Sequence, residues 1–146
     1  MDKFYLTEEC CDADIIEIAQ VLLRHVIKYK TVITYGDWAR ELSFEINPRN
    51  LDRPLGCISE VCLKNGVPPI SAMVVNKDKF IPGAGFFKCF YPGLKPEDYD
   101  TKAIELINQV TSFDQWDAVL KAFEWIYQIC IKTDRMRCIF IYSGNL

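Results

Sequence analysis

The chain has 146 residues, half of them hydrophobic and 13% aromatic, which is enough apolar matter for one core, too much for a disordered tail, and too short for two typical domains. Its apolar runs, such as 138–142, stay far below the ~20 residues a membrane span requires. Met1-Asp2-Lys3-Phe4-Tyr5 also lacks the layout of a signal peptide, so a cytoplasmic protein with no membrane partner is expected. The net charge of −3 counts against strong general nucleic-acid affinity, which phosphate neutralisation mostly supplies, but leaves room for a local basic face.

Residues 12–30 place Ile15, Ile16, Ile18, Ala19, Leu22, Leu23, Val26 and Ile27 at helical spacing. Asp12 or Asp14 suits the start of this helix, and Arg24, Lys28 and Lys30 suit its C-terminal end. Thr31-Val32-Ile33 reads as a short strand. Thr34 caps a second helix from Tyr35 to about Ser43, with Trp38, Ala39 and Leu42 inward. A turn over 45–50 leads to Pro54, a good first helical residue, and a third helix continues to about Lys64. Leu55, Ile58, Val61 and Cys62 form its apolar face, and Asn65-Gly66 followed by Pro68-Pro69 stops it.

Residues 70–75 read as a strand, 76–79 as a turn, and Phe80-Ile81 as the start of a returning strand. Pro82-Gly83-Ala84-Gly85 reads as a flexible wing or hairpin loop leading to Phe86-Phe87-Lys88-Cys89-Phe90. It lacks the Lys-Ser/Thr ending of a phosphate loop, and no clear helix is expected after it. A helix over 95–110 carries Pro96, Glu97 and Asp98 at its start. Ser112-Phe113-Asp114-Gln115 matches a capping box, opening a helix to about Lys132 with Trp116, Val119, Leu120, Phe123, Ile126, Tyr127 and Cys130 inward. Residues 135–142 read as a final strand. The sum is an α+β fold: a mostly helical winged helix-turn-helix with a small β-hairpin and a C-terminal helical extension. A single domain over 1–146 is expected, with the winged-helix core at about 12–92 and the extension, 93–146, packed on it.

The seven cysteines, Cys10, Cys11, Cys57, Cys62, Cys89, Cys130 and Cys138, show no CxxC pair and read as reduced thiols, mostly small core residues. The only histidine, His25, lies in an apolar helical stretch, so neither a metal site nor a cofactor is expected. Acidic pairs such as Glu8-Glu9 and Glu97-Asp98 are explained by solvation and the helix dipole without catalysis.

Val32-Ile33-Thr34-Tyr35-Gly36-Asp37-Trp38-Ala39 resembles the TYGxxA segment that opens the helix-turn-helix of DNA alkyltransferases and alkyltransferase-like proteins. Arg53-Pro54-Leu55-Gly56 stands where that family has R-A-V-G. Asn65-Gly66-Val67-Pro68-Pro69-Ile70 resembles its N-P-x-P-I segment, and Val74-Val75-Asn76-Lys77-Asp78 its following strand and turn. The resemblance covers roughly residues 15–87. The family's reactive Pro-Cys-His-Arg is absent: the interval here is Ser71-Ala72-Met73, with no cysteine, histidine or arginine. The resemblance therefore implies no alkyl transfer and no catalytic residue. It implies that Tyr35 meets a phosphate and that Arg53 fills the gap left by an extruded base. Packing explains Tyr35 equally well, as a first-turn residue against Trp38, and Arg53 lies at a helix start.

The third helix and wing set Arg49, Arg53, Lys64, Lys77, Lys79 and Lys88 against Glu45, Asp52, Glu60 and Asp78, a mildly positive balance. The candidate DNA contacts are Tyr35, Arg49, Arg53, Lys64, Lys77 and Lys79. The expected function is a non-catalytic winged-helix module binding a DNA duplex in the alkyltransferase-like manner. The alternative is a protein-binding inhibitor or regulator on the same scaffold, acting on a basic partner such as a nucleic-acid enzyme, as a phage-encoded counter-defence protein would.

Overall fold

Asp12 decides where the first helix begins. Its Oδ1 accepts the N–H groups of Asp14 and Ile15 at 2.8 and 3.3 Å, and helix α1 runs Ala13–Tyr29. Lys30, in the left-handed conformation at φ 51°, closes it by donating to the Val26 carbonyl. The computed structural model describes residues 3–6, 12–132 and 140–143. After strand β2 (Ile33–Thr34), the Thr34 hydroxyl accepts the Asp37 N–H at 3.2 Å and starts α2 (Tyr35–Arg40). This helix is shorter than expected: the N–H groups of Glu41 and Leu42 turn back to the carbonyls of Trp38 and Ala39, a 3₁₀-type closure. Trp38 is fully buried, whereas Ala39 and Leu42 are half-buried.

A 3₁₀ turn, Pro48–Leu51, is capped by Asn47 and runs straight into α3 (Asp52–Lys64). Pro54 thus falls inside the first turn of α3, where a proline is tolerated. Leu55, Ile58, Val61 and Cys62 are buried as the periodicity predicts. Asn65 ends the helix and does more. Its Oδ1 accepts the Tyr5 N–H, and its Nδ2 donates to the Tyr5 and Val61 carbonyls, each at 2.7 Å. Tyr5 belongs to β1 (Lys3–Leu6), a strand with no counterpart in the sequence reading, which pairs antiparallel with β4 (Phe140–Ser143). The earlier part of the expected final strand, 135–139, lies outside the described residues.

The expected hairpin is not formed. Residues Ile70–Met73 make a 3₁₀ turn, and only Val74–Val75 is a strand, β3, pairing in parallel with β2. Phe80-Ile81 does not return as a strand. The Asn76 N–H bonds the Ile81 carbonyl and the Phe80 N–H bonds the Asn76 carbonyl, both at 2.9 Å, which closes a tight turn. The supposed loop beyond it contains a helix, α4 (Ala84–Phe90). Gly85 argues against a helix by propensity, but burial of Phe87, stacked on Tyr99 at 4.2 Å, outweighs it.

A 3₁₀ turn, Pro96–Asp98, leads into α5 (Tyr99–Ser112), and α6 is Trp116–Lys132. Ser112 therefore ends α5 and forms no capping box. The chain reverses in three residues, and the Trp116 Nε1 donates to the Val110 carbonyl at 2.8 Å. α6 lies along α1, and one buried cluster joins Phe4, Ile16, Leu22, Ile58, Val61, Val119, Phe123 and Ile126. No described helix is long and apolar enough to cross a membrane.

Candidate nucleic-acid interface

The first turn of α2 puts Tyr35 against the segment entering α4. Its hydroxyl accepts the Gly83 N–H at 3.4 Å. Burial raises the Tyr35 pKa above its ordinary value, the Gly83 bond opposes this, and the Asp52 carboxylate adds to the rise. The phenol therefore stays protonated at neutral pH. It forms one side of a cleft of about 590 Å³, whose other walls come from the turn 48–49, the start of α3, Ser71, Asn76 and α4. This volume falls within the ~300–1,000 Å³ typical of small-ligand sites.

The cleft has a mixed lining. Tyr35, Phe86 and Phe90 are aromatic, while Arg49, Asp52, Ser71 and Asn76 bring hydrogen-bonding groups. A second groove of about 580 Å³ adjoins it, between the start of α2 and the turn 77–79. Tyr35 and Asn76 belong to both, so the two form one continuous face. Lys77 and Lys79 line this groove opposite Arg40, whose charge is paired with Asp37.

The structure thus brings together four of the sequence-predicted residues: Tyr35 and Arg49 in the cleft, Lys77 and Lys79 in the groove. Tyr35 faces the cleft and Gly83. Arg53 is exposed at the second position of α3, next to Asp52 on the cleft wall. Lys64 stands apart. It lies eleven residues further along α3, roughly 16 Å at 1.5 Å per residue, and it pairs with Glu60 at 3.1 Å. Asp52, Ser71, Asn76, Phe86, Cys89 and Phe90 are cleft residues that sequence reasoning missed. The four-residue spacing of Phe86 and Phe90 was the available signal, readable only once 84–90 is known to be helical.

Ser71 lies in the 3₁₀ turn that precedes β3. Its hydroxyl is buried and hydrogen-bonded to that of Ser59. Both ring nitrogens of His25 are buried and have no hydrogen-bond partner among the described residues, so His25 bonds neither Ser71 nor any described cysteine. Cys57 and Cys62 are buried and Cys89 is exposed. Burial pushes the Cys62 thiol up to about 12, against a smaller lowering by the Ile70 backbone, so it carries no thiolate at neutral pH. Compared with known protein families, characterised proteins and solved structures, the chain matches none.

Proposed function

We propose that this chain is a non-catalytic DNA-binding module of the alkyltransferase-like kind, which takes one extruded base into the cleft beside Tyr35. The observation that carries this reading is the composition of that cleft. Three aromatic rings and the polar groups of Asp52 and Asn76 line a space of suitable size, with Arg49 on its wall and Arg53 beside it. A flipped base is planar, stacks on aromatic rings and is read through hydrogen bonds along its edge, and these are the features the lining offers. Extrusion costs a few kcal/mol and leaves a gap in the duplex. Arg53, exposed at the helix start, is long enough to fill it.

The test is a duplex titration at two salt concentrations, comparing a fully paired duplex with one holding a mismatched base. The mismatched duplex should bind more tightly, because its base is already partly released. Arg53→Ala should weaken binding by about 1–3 kcal/mol, and Tyr35→Phe by roughly 1 kcal/mol, since it removes only a hydroxyl. Equal, weak binding of both duplexes by the wild type and both variants would defeat the proposal. The rival reading, a protein-binding regulator of a basic nucleic-acid enzyme, draws on the net charge of −3.

A further inference from the structure

Phe80 is the most exposed aromatic residue among those described, at 59%, and it adopts a left-handed backbone conformation, φ 55°. Neither property helps the protein fold. An exposed ring gains nothing from the core, and a bulky residue at positive φ is strained where glycine or asparagine would not be. The turn nevertheless holds it firmly. The Asn76 and Phe80 backbone bonds close the loop on one side, and buried Pro82 anchors it on the other. The ring is thus presented outward from a hydrogen-bonded turn. Lys77 and Lys79 precede it, both exposed, with Asp78 between them, a local excess of one positive charge in a chain of net charge −3. The same turn contributes Asn76 to the cleft and Lys77 and Lys79 to the groove.

From this arrangement we infer that Phe80 is a wedge. It inserts between adjacent base pairs of a bound duplex, while Lys77 and Lys79 hold the flanking phosphates. The inference rests on the DNA-binding reading above and adds the way the duplex is deformed. Apolar side chains inserted at a base step unstack it and kink the helix, and a kink at the turn that supplies Asn76 to the cleft makes extrusion of a neighbouring base easier. Stacking on an aromatic face tolerates any sequence, because every base has one. An exposed ring on a closed turn, with adjacent cations, suits this use.

The experiment uses the full chain and a duplex labelled with a donor and an acceptor at its two ends, read for affinity and for end-to-end energy transfer. Wild type should bind and raise the transfer, reporting a bend. Phe80→Gly suits the backbone conformation and empties no core, so its melting temperature should equal or exceed that of wild type. Its duplex affinity should fall roughly tenfold, and the bend should be lost even at saturation. Phe80→Trp should restore both. If Phe80→Gly binds and bends the duplex as wild type does, the wedge is wrong while DNA binding stands, and the ring is left to a protein partner. If wild type binds no duplex at either salt concentration, both readings fall together.

Discussion

Cys62 illustrates how a single buried atom ties stability to pH. Its thiol lies inside the α3 face and is pushed up to about 12 by burial, from an ordinary value of 9.0. The folded state therefore keeps a proton that the unfolded chain releases. The stabilisation is present in full below about pH 9 and is lost as pH rises toward 12, at most ~1.4 kcal/mol per pH unit. Tyr35, also raised mainly by burial, acts in the same direction at higher pH. Guanidinium midpoints measured from pH 8 to 10.5 should fall with pH, and Cys62→Ala should flatten that fall while lowering the midpoint overall. An identical pH slope in the variant would show that Cys62 is not the group responsible. Much at this scale was legible in the chain, because Asp12, Thr34 and Asn65 act where their side chains predict caps and stops. The reach of Asn65 to Tyr5 was not legible, because nothing in the intervening sequence signals that contact.

The same asparagine governs an element. It is the side-chain tie between β1 and the end of α3, with both backbone groups of Tyr5 engaged. Asn65→Ala should leave those groups without their partners, costing roughly 1–3 kcal/mol. The Tyr5 amide should then exchange with solvent faster, while amides in the middle of α1 change only with global stability. Equal protection of Tyr5 in variant and wild type would mean that strand pairing with β4 alone holds β1. Amphipathic elements such as α1 and α3 were readable because their apolar spacing continues over several turns. Residues 70–90 were misread for the opposite reason. Ile70, Val74 and Val75 have strand character, but the chain has only two residues to pair with β2 and spends the rest on a 3₁₀ turn. The short helix α4 depends on burying Phe87 rather than on its local composition.

Across the whole molecule, the buried cluster crosses every boundary drawn from the sequence. Phe4 of β1 meets Phe123 of α6 edge-on at 5.3 Å, and α6 covers α1. Residues 93–132 therefore help complete the core that supports α3. Phe123→Ala should cost about 3–5 kcal/mol, and unfolding should remain one transition, with tryptophan fluorescence and far-UV circular dichroism changing together. Separate transitions by the two probes would mean that the chain unfolds as two units. The salt bridges contribute little to this balance: Arg24–Glu124 and Lys64–Glu60 are exposed pairs, which typically add no more than ~1 kcal/mol each.

The sequence by itself determined the mostly helical character, the extents of α1 and α3 to within a few residues, and the buried faces of those helices. These follow from periodicity and capping, which are local. It also placed Tyr35, Arg49, Lys77 and Lys79 among the candidate contacts. Only the tertiary structure decided that these residues share one face, that Lys64 does not, and that Ser71, Asn76, Phe86 and Phe90 complete the cleft. The parallel pairing of β2 with β3 and the placement of α4 beside Tyr35 create that cleft. Both are contacts between segments some forty to fifty residues apart, which burial selects and local propensity does not encode.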